Sequence, residues 1–563
     1  MSQYSQNVSS SIVSSVTMAD IYDSITQSGV NQFVGRGQEL AALHQLLQEH
    51  DQVAIAGIAG AGKTQLAIQY AKAYLNYYPG GICWLLARSD LGLQIVEFAL
   101  SHFSNFTIPP RLTPTTQVIY CWQHWIPFEG EVLVIIDDVT DYLQIQPYLP
   151  SPSSRFKVLL TTRVQLEPLV QMLSLDVLTP PAALDLLTSR IGKYRVKDTR
   201  GKPFGTGSKG KQGKPKRTAS PPLIKVGQGG VAQQLCEWLG YLPLGVELVG
   251  RYLEQERNLP LERMQVRLQK QLLTHWGKPE GNAPENLMLQ PRLATAFELS
   301  WNRLDEQAQQ LGCLLSVFAL APIPWAQVES VFGQLYLPGA LLGKLLNVLP
   351  ADADADIEML IKALLNPLKD AREQLVQLYL LQHTKEGTYQ LHPLIWDLWR
   401  EKLAGLEQFF TLKQAFCQVM VAVAKQIPAS PSRNLIEEVT PAIPHVVEAV
   451  TALREFISDE DLIASLEGLG GFYQSQGFYD LAVPWREQCL WLTQACLGAD
   501  HPDVAAKLHN LAGIYYAQER YTEAEALSVQ ALKICEQQLG LEHPLTLATR
   551  KNLDALYIAL QKE

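Results

Sequence analysis

The sequence predicts a multidomain chain: an α/β unit with a parallel sheet, then an all-α helical domain, a winged helix and an α-solenoid of repeats. Three observations carry this. Up to about residue 175, continuous apolar runs alternate with helical segments. The middle of the chain is helical with few strand signals. The last hundred or so residues repeat with a fixed period of 42. A length of 563 residues fits roughly three or four such domains.

Residues 1–30 are rich in Ser, Gln and Val and weakly patterned, so a disordered segment is expected, with one short helix near Met18–Ile25. The α/β unit spans 31–175. Its apolar runs are 53–56, "GICWLL" (81–86), "VLVII" (132–136) and "FKVLLTT" (156–162). Unbroken apolar runs mark strands buried on both faces, which means a parallel sheet flanked by helices. After the first run stands "GIAGAGKT": Gly57, Ile58, Ala59, Gly60, Ala61, Gly62, Lys63 and Thr64, followed by Gln65. The glycines let backbone N–H groups turn inward around an anion. Lys63 can reach β and γ phosphates, and the Thr64 hydroxyl can ligate Mg²⁺. Leu66, Ala67, Tyr70, Ala71 and Tyr74 then repeat at helical spacing. The helix should start at Lys63, with its positive end facing the phosphates.

A phosphate loop needs an acidic partner for the metal. "VLVIIDDVTD" delivers Asp137 to the carboxyl edge of the sheet, where the loop also sits. Asp137 is assigned to the Mg²⁺ shell, through water. Asp138 is the candidate to orient or polarise an attacking water, alongside Lys63. The plainer reading is that both carboxylates cap a strand–loop junction. The next strand ends "LLTTRV", so Arg163 should emerge beside the γ-phosphate. A guanidinium there distinguishes ATP from ADP; an ordinary surface Arg is the alternative.

Residues 176–284 form the expected small helical domain. Within it, 192–220 carry ten Lys and Arg against one Asp, a disordered loop by composition. It reads as a solvated insertion or as a polybasic arm for nucleic acid or lipid. "LCEWLGYLPLGVELVGRYL" (235–253) reads as two helices broken at Gly-Tyr-Leu-Pro. In 285–403, two helices meet near Asn302, and 374–403 read as helix, short hairpin, helix: a winged helix. Residues 336–371 are longer than a compact winged helix needs. A helical linker or degenerate repeats occupy 404–455.

In 456–563, His501-Pro502 recurs as His543-Pro544. Tyr473, Tyr515 and Tyr557 stand at equal intervals, and Tyr479, Ala482 and Gly498 match Tyr521, Ala524 and Gly540. Such a period means stacked helix pairs. The unit resembles the 42-residue tetratricopeptide repeat of kinesin light chains, longer than the common 34-residue form. Tyr516, Gln518 and Arg520 are surface positions that could meet a peptide or protein.

The net charge of −10 and pI near 5.7 predict no global attraction to nucleic acid or anionic membrane. No apolar run approaches the roughly 20 residues of a membrane helix, and the N-terminus lacks a signal-peptide pattern. Eight scattered cysteines without a CxxC pair suggest core thiols in a reducing, cytoplasmic setting.

"FVGRGQELAAL" (33–43) completes a pattern. Val34-Gly35-Arg36 with Glu39-Leu40, the phosphate loop, the run ending Asp-Asp, Thr-Thr-Arg, and Gly240-Tyr241-Leu242-Pro243-Leu244 occur in order. Over about 31–403 the chain resembles the NB-ARC class of STAND ATPases, the signal-transduction ATPases with numerous domains. The resemblance implies nucleotide contacts from Val34 and Arg36, Pro243 against the adenine, and a winged-helix His at the ADP β-phosphate. "QLHPL" offers His392 for that role, with Pro393 where the family has Asp. What the resemblance implies is a switch. ADP keeps the protein closed, and a protein or peptide ligand on the repeats promotes exchange for ATP. Open subunits then assemble as a homo-oligomer, and slow hydrolysis resets them. With about 30 residues before Val34, an effector in trans is expected. The competing readings are a winged-helix transcription regulator that binds DNA, and a repeat scaffold with a structural nucleotide site.

Overall fold

The computed structural model describes residues 33–560, apart from 192–229, 277–284, 337–354 and short stretches at 89, 104–105, 107, 110–111, 127–128, 153, 167–168, 385–386, 406–408 and 429–430. The expectations for 1–30 and for the basic insertion lie outside the described residues.

Five parallel strands form the first sheet: β1 (Gln52–Ala56), β2 (Ile82–Leu86), β3 (Val132–Val139), β4 (Phe156–Thr162) and β5 (Gln171–Ser174). Their spatial order is β2-β3-β4-β1-β5. The apolar runs predicted β1 to β4. β5 is short and half-exposed, so its sequence, "QMLS", carries no run to read. Because side chains alternate across a strand, each strand feeds two cores. Val53, Ile55, Leu133, Ile135 and Leu159 face the helices Gly37–Glu49 and Lys63–Ala73. Ala54, Val134, Ile136, Val158 and Leu160 face Leu91–His102 and Pro114–Gln123. β3 runs past its apolar stretch to Val139, and its register with β4 shifts between Ile136 and Val139. The two aspartates occupy that irregularity.

Among the described residues five helices follow: Pro180–Ile191, Val231–Trp238, Pro243–Gln255, Leu261–Trp276 and Glu285–Trp301. The predicted break between two of them is made by left-handed backbone at Gly240 and Tyr241, after which Pro243 takes the first helical position, where its missing N–H costs nothing.

The winged helix comprises Glu306–Leu315, Trp325–Tyr336, Ala355–Gln377, Pro393–Ala404 and an antiparallel sheet. The expected hairpin is β7 (Gln382–His383) with β8 (Thr388–Gln390), and a two-residue strand, β6 (Ile323–Pro324), pairs with β8. Part of the long segment 336–371 is helix Ala355–Gln377; 337–354 lie outside the described residues.

Helices Phe409–Lys425, Arg433–Val439 and Ile443–Ala452 lead into the repeats. The repeats are the pairs Asp459–Ser475 with Tyr479–Leu497 and Pro502–Ala517 with Tyr521–Gln538, then Pro544–Leu560. The recurring His-Pro is a helix start. His501 Nδ1 accepts from Asp503 N and His543 Nδ1 from Leu545 N, both at 3.2 Å, and the prolines take the first turn. Ala482 and Ala524, both fully buried, sit where paired helices approach. The linker and first repeat pack onto the outer helices of the α/β unit. Thr440 Oγ1 donates to Glu97 Oε1 (2.8 Å), Arg433 to Leu100 O (2.8 Å) and Gln117 Nε2 to Gly477 O (3.1 Å).

Candidate functional site

The loop between β1 and helix Lys63–Ala73 turns on two left-handed glycines, Gly60 and Gly62. The Lys63 ammonium donates to Gly57 O (2.8 Å) and Ile58 O (3.0 Å), inside the loop it belongs to. Burial first, and then neighbouring Arg163, lower its pKa to about 8, against the pull of Asp138 and Asp137.

Strand order builds the rest of the site. β4 lies between β1 and β3, so the loop and Asp137 flank the end of β4, and Arg163 emerges between them. Asp137 is buried. Its Oδ1 accepts from Thr64 Oγ1 at 2.9 Å and from the Thr161 hydroxyl. Burial raises its pKa, while those two hydrogen bonds lower it. Asp138 has φ +60°; its N–H donates to Thr161 Oγ1 at 2.9 Å. Its carboxylate lies 2.5 Å from Arg88 Nε and 3.6 Å from Arg163 Nε.

The other parts of the chain close over this centre. Leu244 N donates to Gly60 O (3.4 Å) and Pro243 lies against Gly62, so the helical domain rests on the phosphate loop. From the winged helix comes His392, which caps helix Pro393–Ala404: its Nδ1 accepts from Leu394 N at 3.2 Å. That bond leaves Nε2–H as the ring's donor. Burial, then Arg163 and Lys63, lower the His392 pKa to about 4, so the ring is neutral at pH 7. The cavity measures about 210 Å³ and is lined by residues of the α/β unit, helical domain and winged helix.

Of the predicted residues, Val34, Arg36, Ala59, Gly60, Ala61, Gly62, Lys63, Thr64, Gln65, Asp137, Asp138, Arg163, Pro243 and His392 line this cavity. Gly57 and Ile58 do not; they contribute the carbonyls that hold Lys63. Arg36 is buried, and its guanidinium donates to Ala61 O (3.3 Å) and Asp176 O (2.6 Å). It therefore ties the loop to the segment after β5. Sequence reasoning missed Arg88, which follows β2 without a motif and meets Asp138 only because β2 pairs with β3. It also missed Thr161, although the Thr-Thr-Arg run was in view.

The comparisons with known proteins include family matches at the C-terminal end of this architecture. Residues 462–503 and 503–562 each match a tetratricopeptide repeat family. Residues 462–562 are tetratricopeptide repeats. Two curated relatives are the regulatory proteins AfsR of Streptomyces griseus, 29% identical over 25% of this chain, and of Streptomyces coelicolor, 30% identical over 26%. The match spans 15% of the length of each. Among solved structures, a STAND protein with a tetratricopeptide repeat sensor from Pyrococcus horikoshii is 15% identical, with a TM-score of 0.38, covering 94% of this chain and 81% of that one. Among the described residues no helix is long and apolar enough to cross a membrane. Seven of the eight cysteines are buried free thiols.

Proposed function

We propose that this chain is a signal-transduction switch that holds ADP or ATP between its α/β unit, helical domain and winged helix, and that a protein or peptide ligand on the tetratricopeptide repeats promotes exchange of ADP for ATP. One observation carries the reading: a single cavity is walled by Lys63 and Arg163, by Pro243 and by His392, from three successive parts of the chain. A ligand in it has a different contact set when those parts separate. That difference is what couples binding to shape.

In this reading Lys63 and the N-terminus of its helix hold the phosphates, neutral His392 donates Nε2–H to the β-phosphate, and Pro243 packs on the base. The residues fit Mg²⁺: Thr64 Oγ1 and Asp137 Oδ1 are hard oxygen donors 2.9 Å apart at the phosphate loop, and they would hold the ion, Asp137 through water. When bound, the ion would neutralise phosphate charge. Asp138 is engaged by Arg88, which suits slow hydrolysis that resets the switch. Assembly into a homo-oligomer and output through a partner in trans complete the proposal.

Protein purified without added nucleotide should release stoichiometric ADP on denaturation. A site that starts empty and turns ATP over steadily would overturn the locked switch. Unchanged partner binding and assembly after Lys63→Ala would favour a scaffold instead.

A further inference from the structure

We infer that Arg88 is the fixed counter-charge of Asp138, a positioning residue that leaves Arg163 free to read the γ-phosphate; this rests on the switch reading above. Four cations, Arg36, Lys63, Arg88 and Arg163, share the cavity with three carboxylates, Asp137, Asp138 and Glu247. Arg36 is taken up by Glu39 and by the carbonyls of Ala61 and Asp176, and Glu247 by Arg190 and Arg251. Asp137 is committed to Thr64 and Thr161. Asp138 is the carboxylate still able to capture Arg163. Its backbone is fixed by the bond to Thr161 and by its left-handed turn, so its side chain stays beside both guanidiniums. The two contacts are unequal. Arg88 Nε donates to Oδ2 at hydrogen-bond distance, 2.5 Å, while Arg163 Nε stands off at 3.6 Å.

The position of Arg88 is set by the sheet. The preceding Ala87 N–H donates to Asp137 O at 2.9 Å, continuing the β2–β3 ladder and placing Arg88 over the end of β3. A planar guanidinium bound to a carboxylate competes poorly for phosphate, because both ligands want the same two N–H groups. With Arg88 present, Asp138 is already satisfied. Without it, Arg163 is the remaining guanidinium beside Asp138 and closes onto it. The site then loses a phosphate reader as well as a positive charge, and the loss falls on ATP rather than on ADP.

The test uses full-length protein stripped of nucleotide. The non-hydrolysable analogue AMP-PNP and ADP are titrated calorimetrically with Mg²⁺ present. Arg88→Ala should weaken AMP-PNP by about tenfold, equivalent to roughly 1.4 kcal/mol, while ADP affinity barely moves. Arg88→Lys should recover part of the loss. Combining Arg88→Ala with Asp138→Asn should restore the AMP-PNP to ADP ratio, which a merely structural role for Arg88 would not do. Equal weakening of both nucleotides, no weakening, or no restoration in the double variant overturns the inference. If Arg163→Ala leaves the ratio at its wild-type value, it is the sensor reading that fails, and the inference with it. Arg88 is half-exposed, so the variants should fold; Arg88→Gln carries the same test if the alanine variant melts early.

Discussion

Lys63 is a cation in a setting that resists charge. Its lowered pKa, about 8, sits close to working pH, and a bound phosphate would raise it. Binding therefore favours the protonated form. Affinity for ATP should be full below pH 8 and fall by up to about tenfold per pH unit above it, until the pKa of the bound form is passed. Titrations between pH 7 and 9.5 read this directly. Lys63→Ala should bind weakly with that slope removed, and an unchanged slope in the variant would assign the titration to another group. At this scale the sequence was most legible where chemistry dictates spacing. Lys63, Thr64 and Asp137 follow from what phosphate and Mg²⁺ demand of a loop, a helix start and a strand end. Arg88 and Thr161 were not legible, because their work is done across strands. Which side chains meet there depends on strand order, and local spacing does not encode strand order.

Elements were legible to the extent that they bury a long pattern. β3 and β4 are unbroken apolar runs, and the repeat helices announce themselves through His-Pro starts and a constant period. β5 and β6, with four and two residues, are too short to carry a pattern and form because neighbours offer them a ladder edge. Close helix packing was likewise invisible until the helices were placed. A Cβ on Gly468 would lie 2.3 Å from Ala424 O in helix Phe409–Lys425, whereas one on Gly513 would meet nothing within 4 Å. Both are helical glycines, so Ala has the same propensity advantage at each. Gly468→Ala should nevertheless destabilise by about 1–3 kcal/mol, because backbone must move to accept the methyl. Gly513→Ala should stabilise by about 0.5–1 kcal/mol. Urea denaturation of the two variants decides it; shifts of the same sign would show that the linker–repeat contact is looser than this packing.

On the scale of the whole molecule, the linker and first repeat rest on the back of the α/β unit, opposite in function to the nucleotide cavity but on the same body. Glu97 sits in that contact, hydrogen-bonded to Thr440. Burial above all, with Asp90 and Glu437 adding to it and the Thr440 bond working against them, raises its pKa to about 7. An acid whose pKa is higher in the packed state weakens that state as pH rises. Below the ordinary value of 4.5 the effect is absent, between 4.5 and 7 it grows, and above 7 it is complete, at up to about 3 kcal/mol. The packed arrangement should thus be tighter at pH 6 than at pH 8.5. Hydrogen exchange across 433–442 and across helix Leu91–His102 measures this, and protection should drop over that range. Glu97→Gln keeps the partner for Thr440 and removes the charge, so its protection should be high at both pH values. An equal drop in the variant would assign the response to other groups and leave Glu97 a spectator. A drop confined to the wild type would make this contact a place where charge alone moves the repeat domain relative to the nucleotide cavity, the same displacement that a ligand on the repeats is proposed to produce.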